Sequence, residues 1–176
     1  MGFSLMFMRI DGDEQVDADR GALSDFLDRN GLRIVAGPFA GELFDRDGRP
    51  LAFDGRVSDL HVDPLDQEGP IEAGIYHASL SDAECAFVYD LCVAAGFMIF
   101  NPQGDPVYIV PADNHAPEAI ASLAPPDEIL HVGSGEELSH ALTGNFDAFV
   151  AYRERVLRAS AGPETGTDAA TQPRPE

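Results

Sequence analysis

The chain has 176 residues, with 31 Asp or Glu against 11 Lys or Arg, which gives a formal charge of −20 at pH 7. This length suits one domain, with or without a tail, and a 44% apolar content suffices for a folded core. The acidity excludes a general nucleic-acid binder, because such proteins present a basic surface. It also disfavours binding to anionic membrane surfaces.

The charges are unevenly distributed along the chain. All basic residues are Arg; seven lie at or before Arg56, and the next is Arg153. The 96 residues between these two contain 16 acids and no Lys or Arg. The same stretch holds all five histidines: His61, His77, His115, His131 and His140. Because neighbouring carboxylates raise the pKa of histidine, we expect this region to become less negative just below neutral pH.

Targeting and redox features point to the cytoplasm. The N-terminal apolar run is short, follows no basic residue and ends at Arg9, so we expect no secretory signal. No segment approaches the roughly 18 apolar residues of a membrane-spanning helix. Cys85 and Cys92 are two helical turns apart, roughly 10 Å, which is too far for a disulfide. We expect buried thiols in a reducing compartment.

The first half of the chain predicts strands interrupted by one helix. Asp19 is a suitable N-cap for that helix, and Gly31 is suited to follow its C-terminus. An Asp-Gly pair within residues 45–49 predicts a hairpin turn. The predicted elements are a strand at 3–10, an acidic turn at 11–14, a helix at 19–30, a strand at 32–35, a hairpin with arms 42–44 and 50–53, and strands at 60–62 and 71–78.

The second half predicts a central helix, a hairpin and shorter helices. Ser81 and Gly96 bound the strongest helix pattern, whose interior is apolar on almost every side. The predicted elements are helices at 82–95, 118–123, 135–142 and 146–159, a hairpin with arms 97–100 and 107–110, and a strand at 129–132. Together they predict one α+β domain over residues 1–159, with a mainly antiparallel sheet and three to four helices, and a disordered tail over residues 160–176.

Motifs for catalysis or metal binding are incomplete. The histidines and cysteines lack zinc-site spacing, and Asp45-x-Asp47-Gly lacks the remaining ligands of a calcium loop. No Gly-x-Ser-x-Gly is present, and Ser134 is better explained as a helix cap. The surroundings of both cysteines are apolar and acidic, which predicts raised pKa values and low reactivity. We therefore expect a non-enzymatic protein with no catalytic residue, bound metal or cofactor.

Clustered acids are the remaining feature. They act as a solvated surface or as a surface complementary to a basic partner protein, which would raise the association rate and select the partner. The long stretch without Arg favours the partner. The candidate partner-binding residues are Asp11, Asp13, Glu14, Asp63, Asp66, Glu68, Glu136 and Glu137.

Two segments resemble the immunity proteins of bacterial polymorphic-toxin and type VI secretion systems. Residues 71–111 contain an apolar helix capped by Ser-Leu-Ser-Asp and a following hairpin. Residues 129–157 contain Gly-Ser-Gly-Glu-Glu-Leu and then Phe-Asp-Ala-Phe-Val-Ala-Tyr-Arg. The resemblance covers under half of the chain and carries no residue over position by position. It implies a small, acidic, cytosolic α+β protein that binds and blocks one cognate toxin, often a basic nuclease or another nucleic-acid-modifying domain.

Three functional hypotheses follow. The first is a binding protein that occludes the active site of a toxin, with no direct contact to nucleic acid or membrane. The second is a nucleic-acid mimic that inhibits a DNA- or RNA-binding protein, with carboxylates spaced like phosphates. The third is a small enzyme or ligand-binding domain that uses His61, His77 or His131 with nearby carboxylates in a cleft.

Overall fold

A computed structural model describes residues 3–37 and 41–144. This part of the chain is an α+β fold with eleven strands, four helices and a short 3₁₀ turn. The strands are β1 Phe3–Asp11, β2 Glu14–Val16, β3 Leu32–Ala36, β4 Gly41–Asp45, β5 Ala52–Phe53, β6 Arg56–Val57, β7 His61–Val62, β8 Ala73–Ala78, β9 Met98–Phe100, β10 Tyr108–Pro111 and β11 Ile129–Val132. The helices are α1 Arg20–Arg29, α2 Asp82–Ala95, α3 Pro117–Ile120 and α4 Gly135–Leu142, and the 3₁₀ turn is Pro126–Glu128.

Nine of these strands form one sheet. Its order is β11-β10-β9-β1-β8-β7-β4-β3, and β2 pairs with the extension of β1 beyond the main sheet. Every pair is antiparallel except β10 and β11, which are parallel. β5 and β6 form a separate two-stranded hairpin. The predicted fold class, α+β with a mainly antiparallel sheet, is confirmed.

Alternation along the central strand β1 separates the two faces of the sheet. Leu5 and Phe7 are buried in the main core with α1, α2 and α4, whereas Met6 lies on the opposite face and is 40% exposed. On that opposite face a smaller cluster packs under α3: Met98, Val110 and Ile120. Within the described part of the chain, Met6 and Tyr76 on that face are 40% and 50% exposed.

Helix α2 forms as its sequence predicts. The Ser81 hydroxyl accepts the Glu84 backbone N–H at the start, and Gly96 ends the helix in the left-handed conformation with φ of 72°. Cys85 and Cys92 are both free and buried on this helix. Burial raises the pKa of Cys85 to about 12 and that of Cys92 well above its usual value. Neither thiol therefore ionises near neutral pH.

Some elements differ from the sequence predictions. The residues after the acidic turn form β2, and the predicted arm at 50–53 meets β4 at the single bridge between Phe44 and Pro50 before it turns into the β5–β6 hairpin. The predicted helix at 118–123 is the shorter α3. The predicted helix at 146–159 and the tail at 160–176 lie outside the described residues. Within the described ranges, every helix is too short or too polar to cross a bilayer.

A buried histidine joins β1 to the loop after β10. The Ile10 backbone N–H donates to Nε2 of His115 at 3.2 Å, so Nδ1 carries the ring proton and donates to Oδ1 of Asn114 at 2.7 Å. Nδ2 of Asn114 donates to the carbonyl oxygens of Phe97 and Cys92. Burial, and then the charge of Arg9, lower the pKa of His115 to about 4. The raised pKa that we expected from acidic neighbours is wrong for this histidine, because burial and the nearby charge of Arg9 both disfavour the protonated ring.

This network predicts a specific dependence of stability on pH. Between the ordinary histidine pKa of 6.5 and the folded value of about 4, the unfolded chain binds a proton that the folded chain does not. The free energy of unfolding should therefore fall by about 2 kcal/mol between pH 7.5 and pH 5, as measured by urea titration. His115→Gln should remove this pH-dependent loss, whereas His131→Gln, at an exposed position, should retain it. An unchanged slope in His115→Gln would contradict the assignment.

Candidate functional site

The strand pairing places two groups of predicted binding acids at one end of the sheet. β1 ends at this end and turns into β2 through residues 11–14, and the register of Phe7 with Ala73 places the start of β8 there as well. Residues 63–70, which join β7 to β8, therefore lie at the same end. We call residues 11–14 and 63–70 the acidic end.

Arg20, the first residue of α1, joins Asp17 to the 63–70 loop of the acidic end. Its Nε donates to Oδ2 of Asp17 at 2.7 Å, and its Nη atoms donate to three carbonyl oxygens of the 63–70 loop, those of Leu65, Gln67 and Gly69, at 2.6–2.8 Å. Oδ1 of Asp17 accepts the Ile71 backbone N–H at 3.2 Å. The Arg20 hydrogen bond lowers the pKa of Asp17 below its usual value. This arginine thus binds one carboxylate and three backbone carbonyl groups.

The predicted binding acids fall into two classes. Asp63 accepts hydrogen bonds from the Gln67 side chain and the Glu72 backbone, and Glu137 accepts the Gly133 backbone N–H, so both serve the fold. The others are exposed, and no ion pair or hydrogen bond joins their carboxylates to the rest of the described chain: Asp11, Asp13, Glu14, Asp66, Glu68 and Glu136.

The two acids of α4, Glu136 and Glu137, lie far from the 63–70 loop. Glu136 and Glu137 follow β11 at the same end of the sheet, but β11 is five strand positions from β7. At about 4.8 Å per position this separation is roughly 24 Å, and α4 packs against α2 in the helical layer. The α4 pair therefore lies far from the 63–70 loop, whereas three strand positions separate β11 from β1, which carries Asp11.

A pocket of about 500 Å³ forms a second candidate site, between the open face of the sheet and the β5–β6 hairpin. That hairpin turns at Asp54 and Gly55, whose φ values of 51° and 78° suit the tight turn that Asp-Gly favours. The residues that line the pocket come from β4, the β4–β5 connection, β6, the segment leading into β7, β7 itself and β8: Glu42, Leu43, Phe44, Pro50, Val57, Ser58, Asp59, Leu60, His61, Tyr76 and His77.

A stacked pair of rings forms one wall of the pocket. The His61 and Tyr76 rings lie 4.7 Å apart between centroids, with an interplanar angle of 13°. His61 pairs across the sheet with Gly74 on one side and with Glu42 on the other. A Cβ at Gly74 would lie 3.1 Å from the His61 ring and 2.8 Å from the Leu5 carbonyl oxygen. The glycine therefore makes room for the imidazole over β8.

Asp59 orients the second histidine of the pocket. Its Oδ1 accepts the backbone N–H groups of Tyr76 and His77 at 3.1 Å, and its Oδ2 lies 2.5 Å from Nδ1 of His77. Burial alone would raise the pKa of Asp59, but the hydrogen bonds from the His77 ring and the two backbone groups outweigh it and lower that pKa. With Nδ1 bonded to the carboxylate, Nε2 is the free nitrogen of a 74% exposed side chain.

A buried carboxylate, that of Glu84, holds Ser58, one of the residues that line this pocket. Glu84 is 3% exposed and accepts hydrogen bonds from the Ser79 and Leu80 backbone N–H groups and from the hydroxyls of Ser79 and Ser58. Leu80 adopts a positive φ of 54° at this point. Because Ser58 directly precedes Asp59, the contact fixes the segment that carries the Asp59–His77 pair.

The histidines of the third hypothesis separate into two places. His61 and His77 meet in the pocket, whereas His131 pairs with Asp113 on the surface at 2.7 Å between Nδ1 and Oδ1. Asp63 turns toward Gln67 and Glu72. Across residues 3–37 and 41–144, three or more metal-ligating side chains gather at no point.

Comparison with known proteins adds no relationship. No family model, curated protein or solved structure matches this chain. Its function therefore has to be argued from the two candidate sites themselves.

Of the residues that line the pocket, sequence reasoning named only His61 and His77 as candidate site residues; it missed Glu42, Asp59 and Tyr76 among others, and also Gly74 beside the His61 ring. A glycine inside an apolar strand pattern is a signal of close approach by another group, so Gly74 was detectable in principle. Asp59 and Tyr76 become neighbours only through the pairing of β7 with β8, which no local pattern reveals.

Loss of the Arg20 contacts should loosen the acidic end. Arg20→Gln removes the ion pair with Asp17 and hydrogen bonds to three carbonyl oxygens, so we expect a loss of about 1–2 kcal/mol in unfolding free energy. Amide hydrogen exchange should accelerate at Ile71. Arg49→Gln is the matched control, because the Arg49–Asp47 pair has side chains that are 75% and 71% exposed. Equal effects of the two substitutions would contradict a special role for Arg20.

Filling the space at Gly74 should disrupt the stacked rings. Gly74→Ala should cost about 1–3 kcal/mol and shift the NMR signals of the His61 ring, because the new methyl group meets both the ring and a β1 carbonyl. In Gly21→Ala the nearest atom is Oδ1 of Asp19 at 3.6 Å, so this helical control should be neutral or slightly stabilising. A Gly74→Ala protein with unchanged stability and unchanged His61 signals would rule out this packing.

Proposed function

We propose that the protein is a non-enzymatic acidic binding protein that uses its acidic end to engage a basic protein partner. The observation that carries the proposal is the position of the exposed acids of residues 11–14 and 63–70, which the strand pairing places at the same end of the sheet. Solubility requires negative charge but no particular arrangement of it. A clustered field of one sign steers association with an oppositely charged partner.

The positions of the arginines support the same proposal. β3 begins and β4 ends at the end of the sheet opposite the acidic end, as the pairing of Leu32 with Asp45 shows. Four of the seven N-terminal arginines lie on or beside these segments: Arg29, Arg33, Arg46 and Arg49. These four arginines lie beside Asp28, Asp45 and Asp47, so that end of the sheet carries charges of both signs, and a basic partner would be attracted more strongly to the acidic end.

The resemblance to immunity proteins gives the proposal its specific form. We propose that the partner is a cytoplasmic toxin, and that the acidic end covers Lys and Arg side chains that hold substrate phosphates. Inhibition would then occur by occlusion, without chemistry in this protein. A nucleic-acid mimic would use the same acids but would inhibit several unrelated basic proteins.

The test uses genes adjacent to this one. A toxin encoded there should arrest bacterial growth when expressed alone and should be neutralised by co-expression of this chain. Calorimetry on the purified pair should show affinity that falls as salt rises. A charge-removing variant with Asp13→Asn, Glu14→Gln, Asp66→Asn and Glu68→Gln should weaken binding about tenfold or more.

The matched control removes four charges elsewhere. Asp25→Asn, Asp28→Asn, Asp47→Asn and Asp54→Asn together change the net charge equally but lie outside the acidic end. They should leave the affinity within about twofold, since long-range charge is screened at physiological salt. Equal weakening by both variants, or an adjacent toxin that this chain fails to bind, would contradict the proposal. Equal inhibition of unrelated DNA-binding proteins would favour mimicry instead.

A further inference from the structure

The pocket beside the β5–β6 hairpin has a charge that selects the sign of its ligand. Among the described residues, its lining includes two carboxylates, those of Glu42 and Asp59, and neither Arg nor Lys. The Asp59 carboxylate is engaged by His77 and two backbone groups, whereas Glu42 is exposed and bonds to no other described side chain. An anionic ligand would be repelled, and a cation would find an available carboxylate.

The walls of the pocket select the shape of the ligand. Tyr76 is 50% exposed and stacks on His61, while Phe44 from β4 and Pro50 add apolar surface. Flat cations are attracted to the faces of aromatic rings, and a guanidinium group also stacks flat on them. A volume of about 500 Å³ lies within the range for small organic ligands.

The strand register holds these groups in fixed positions. Glu42, His61 and Gly74 lie opposite one another on β4, β7 and β8, so the carboxylate and the stacked rings stand on neighbouring strands. Groups carried by paired strands are more precisely placed than groups on free loops. Gly74, which has no side chain, leaves the space that the His61 imidazole occupies.

We propose that this pocket binds a planar organic cation of the guanidinium type, with its charge at Glu42 and its flat face against Tyr76. The ligand is either a free small molecule or an arginine side chain presented by a protein. This inference goes beyond the acidic-end proposal and does not depend on it.

The test is an NMR titration of the full chain at constant ionic strength. Phenylguanidine is the small-molecule probe, and phenylurea is its neutral analogue of the same shape. We expect saturable binding of phenylguanidine at about 1 mM or tighter, with shifts concentrated on the His61, His77 and Tyr76 rings. Phenylurea should bind at least about tenfold more weakly, because it lacks the charge. Equal binding of the two probes, or no saturable shift with phenylguanidine, would overturn the proposal.

Substitutions in the pocket test whether phenylguanidine binds there. Glu42→Gln and Tyr76→Leu should each weaken phenylguanidine binding, by about tenfold for the lost charge and about fivefold for the lost ring. Glu118→Gln removes a charge from exposed α3 and should have no effect. Amide spectra that are unchanged away from the pocket would show that the variants fold. Weakening by Glu118→Gln equal to that by Glu42→Gln would show nonspecific attraction and overturn the proposal.

A second pair of probes distinguishes the two sources. N-acetyl-arginine methylamide should bind in preference to its lysine counterpart, because the guanidinium group stacks more favourably. If it binds more tightly than phenylguanidine, the source is an arginine of a protein; the reverse order assigns a free small molecule. The four-charge variant of the acidic end should bind phenylguanidine normally, so the two proposals can fail separately.

Discussion

The buried carboxylate of Glu84 is the contact on which the arrangement of the sheet and the helices most depends. A carboxylate taken out of water is costly unless donors surround it, and Glu84 receives four hydrogen bonds. Those donors come from the end of β8, the turn into α2 and the segment before β7. The positive φ of Leu80 directs its N–H toward the carboxylate. The hydrogen bond to the buried Glu84 thus offsets the backbone strain at Leu80. The pocket is a consequence, because Ser58 and Asp59 are adjacent.

Local chemistry explains which parts of the fold the sequence predicts. α1, α2 and α4 have side-chain caps that act within three residues: Asp19, Ser81 and Ser134. The hairpin of β9 and β10 needs a short connection and two apolar runs. Such signals come from residues that are close together in the sequence, so they can be recognised without knowledge of the fold.

Elements that depend on distant contacts were not predicted. β2 is three residues long and is defined by its pairing with β1. The β5–β6 hairpin has two-residue arms, too short for an alternating pattern, although its Asp54-Gly55 turn is a strong signal. The pocket needs β4, β7 and β8 in register, and the shift of His115 needs its burial against β1. Composition gave no indication that this histidine would be buried beside Arg9.

Many of the acidic residues have a structural role, because their carboxylates accept hydrogen bonds from backbone N–H groups. Several acids bond to backbone N–H groups and thereby cap a helix, close a turn or pin a loop: Asp17, Asp19, Asp45, Asp59, Asp63, Glu84 and Glu137. These acids occur throughout the sequence, so the charge of −20 overstates the negative surface that is free to meet a partner.

Exposed acids without such a role occur over much of the described chain, and two of the places where they occur differ in chemistry. At the acidic end they are carboxylates on connecting segments beside a fully engaged arginine, which suits a broad basic surface. In the pocket a single carboxylate stands beside stacked rings on paired strands, which suits one flat cation. A broad field that accelerates encounter and a shaped pocket that discriminates among cations are complementary means of recognition. The net charge alone predicts neither site, because both sites depend on which carboxylates accept no hydrogen bond from the backbone.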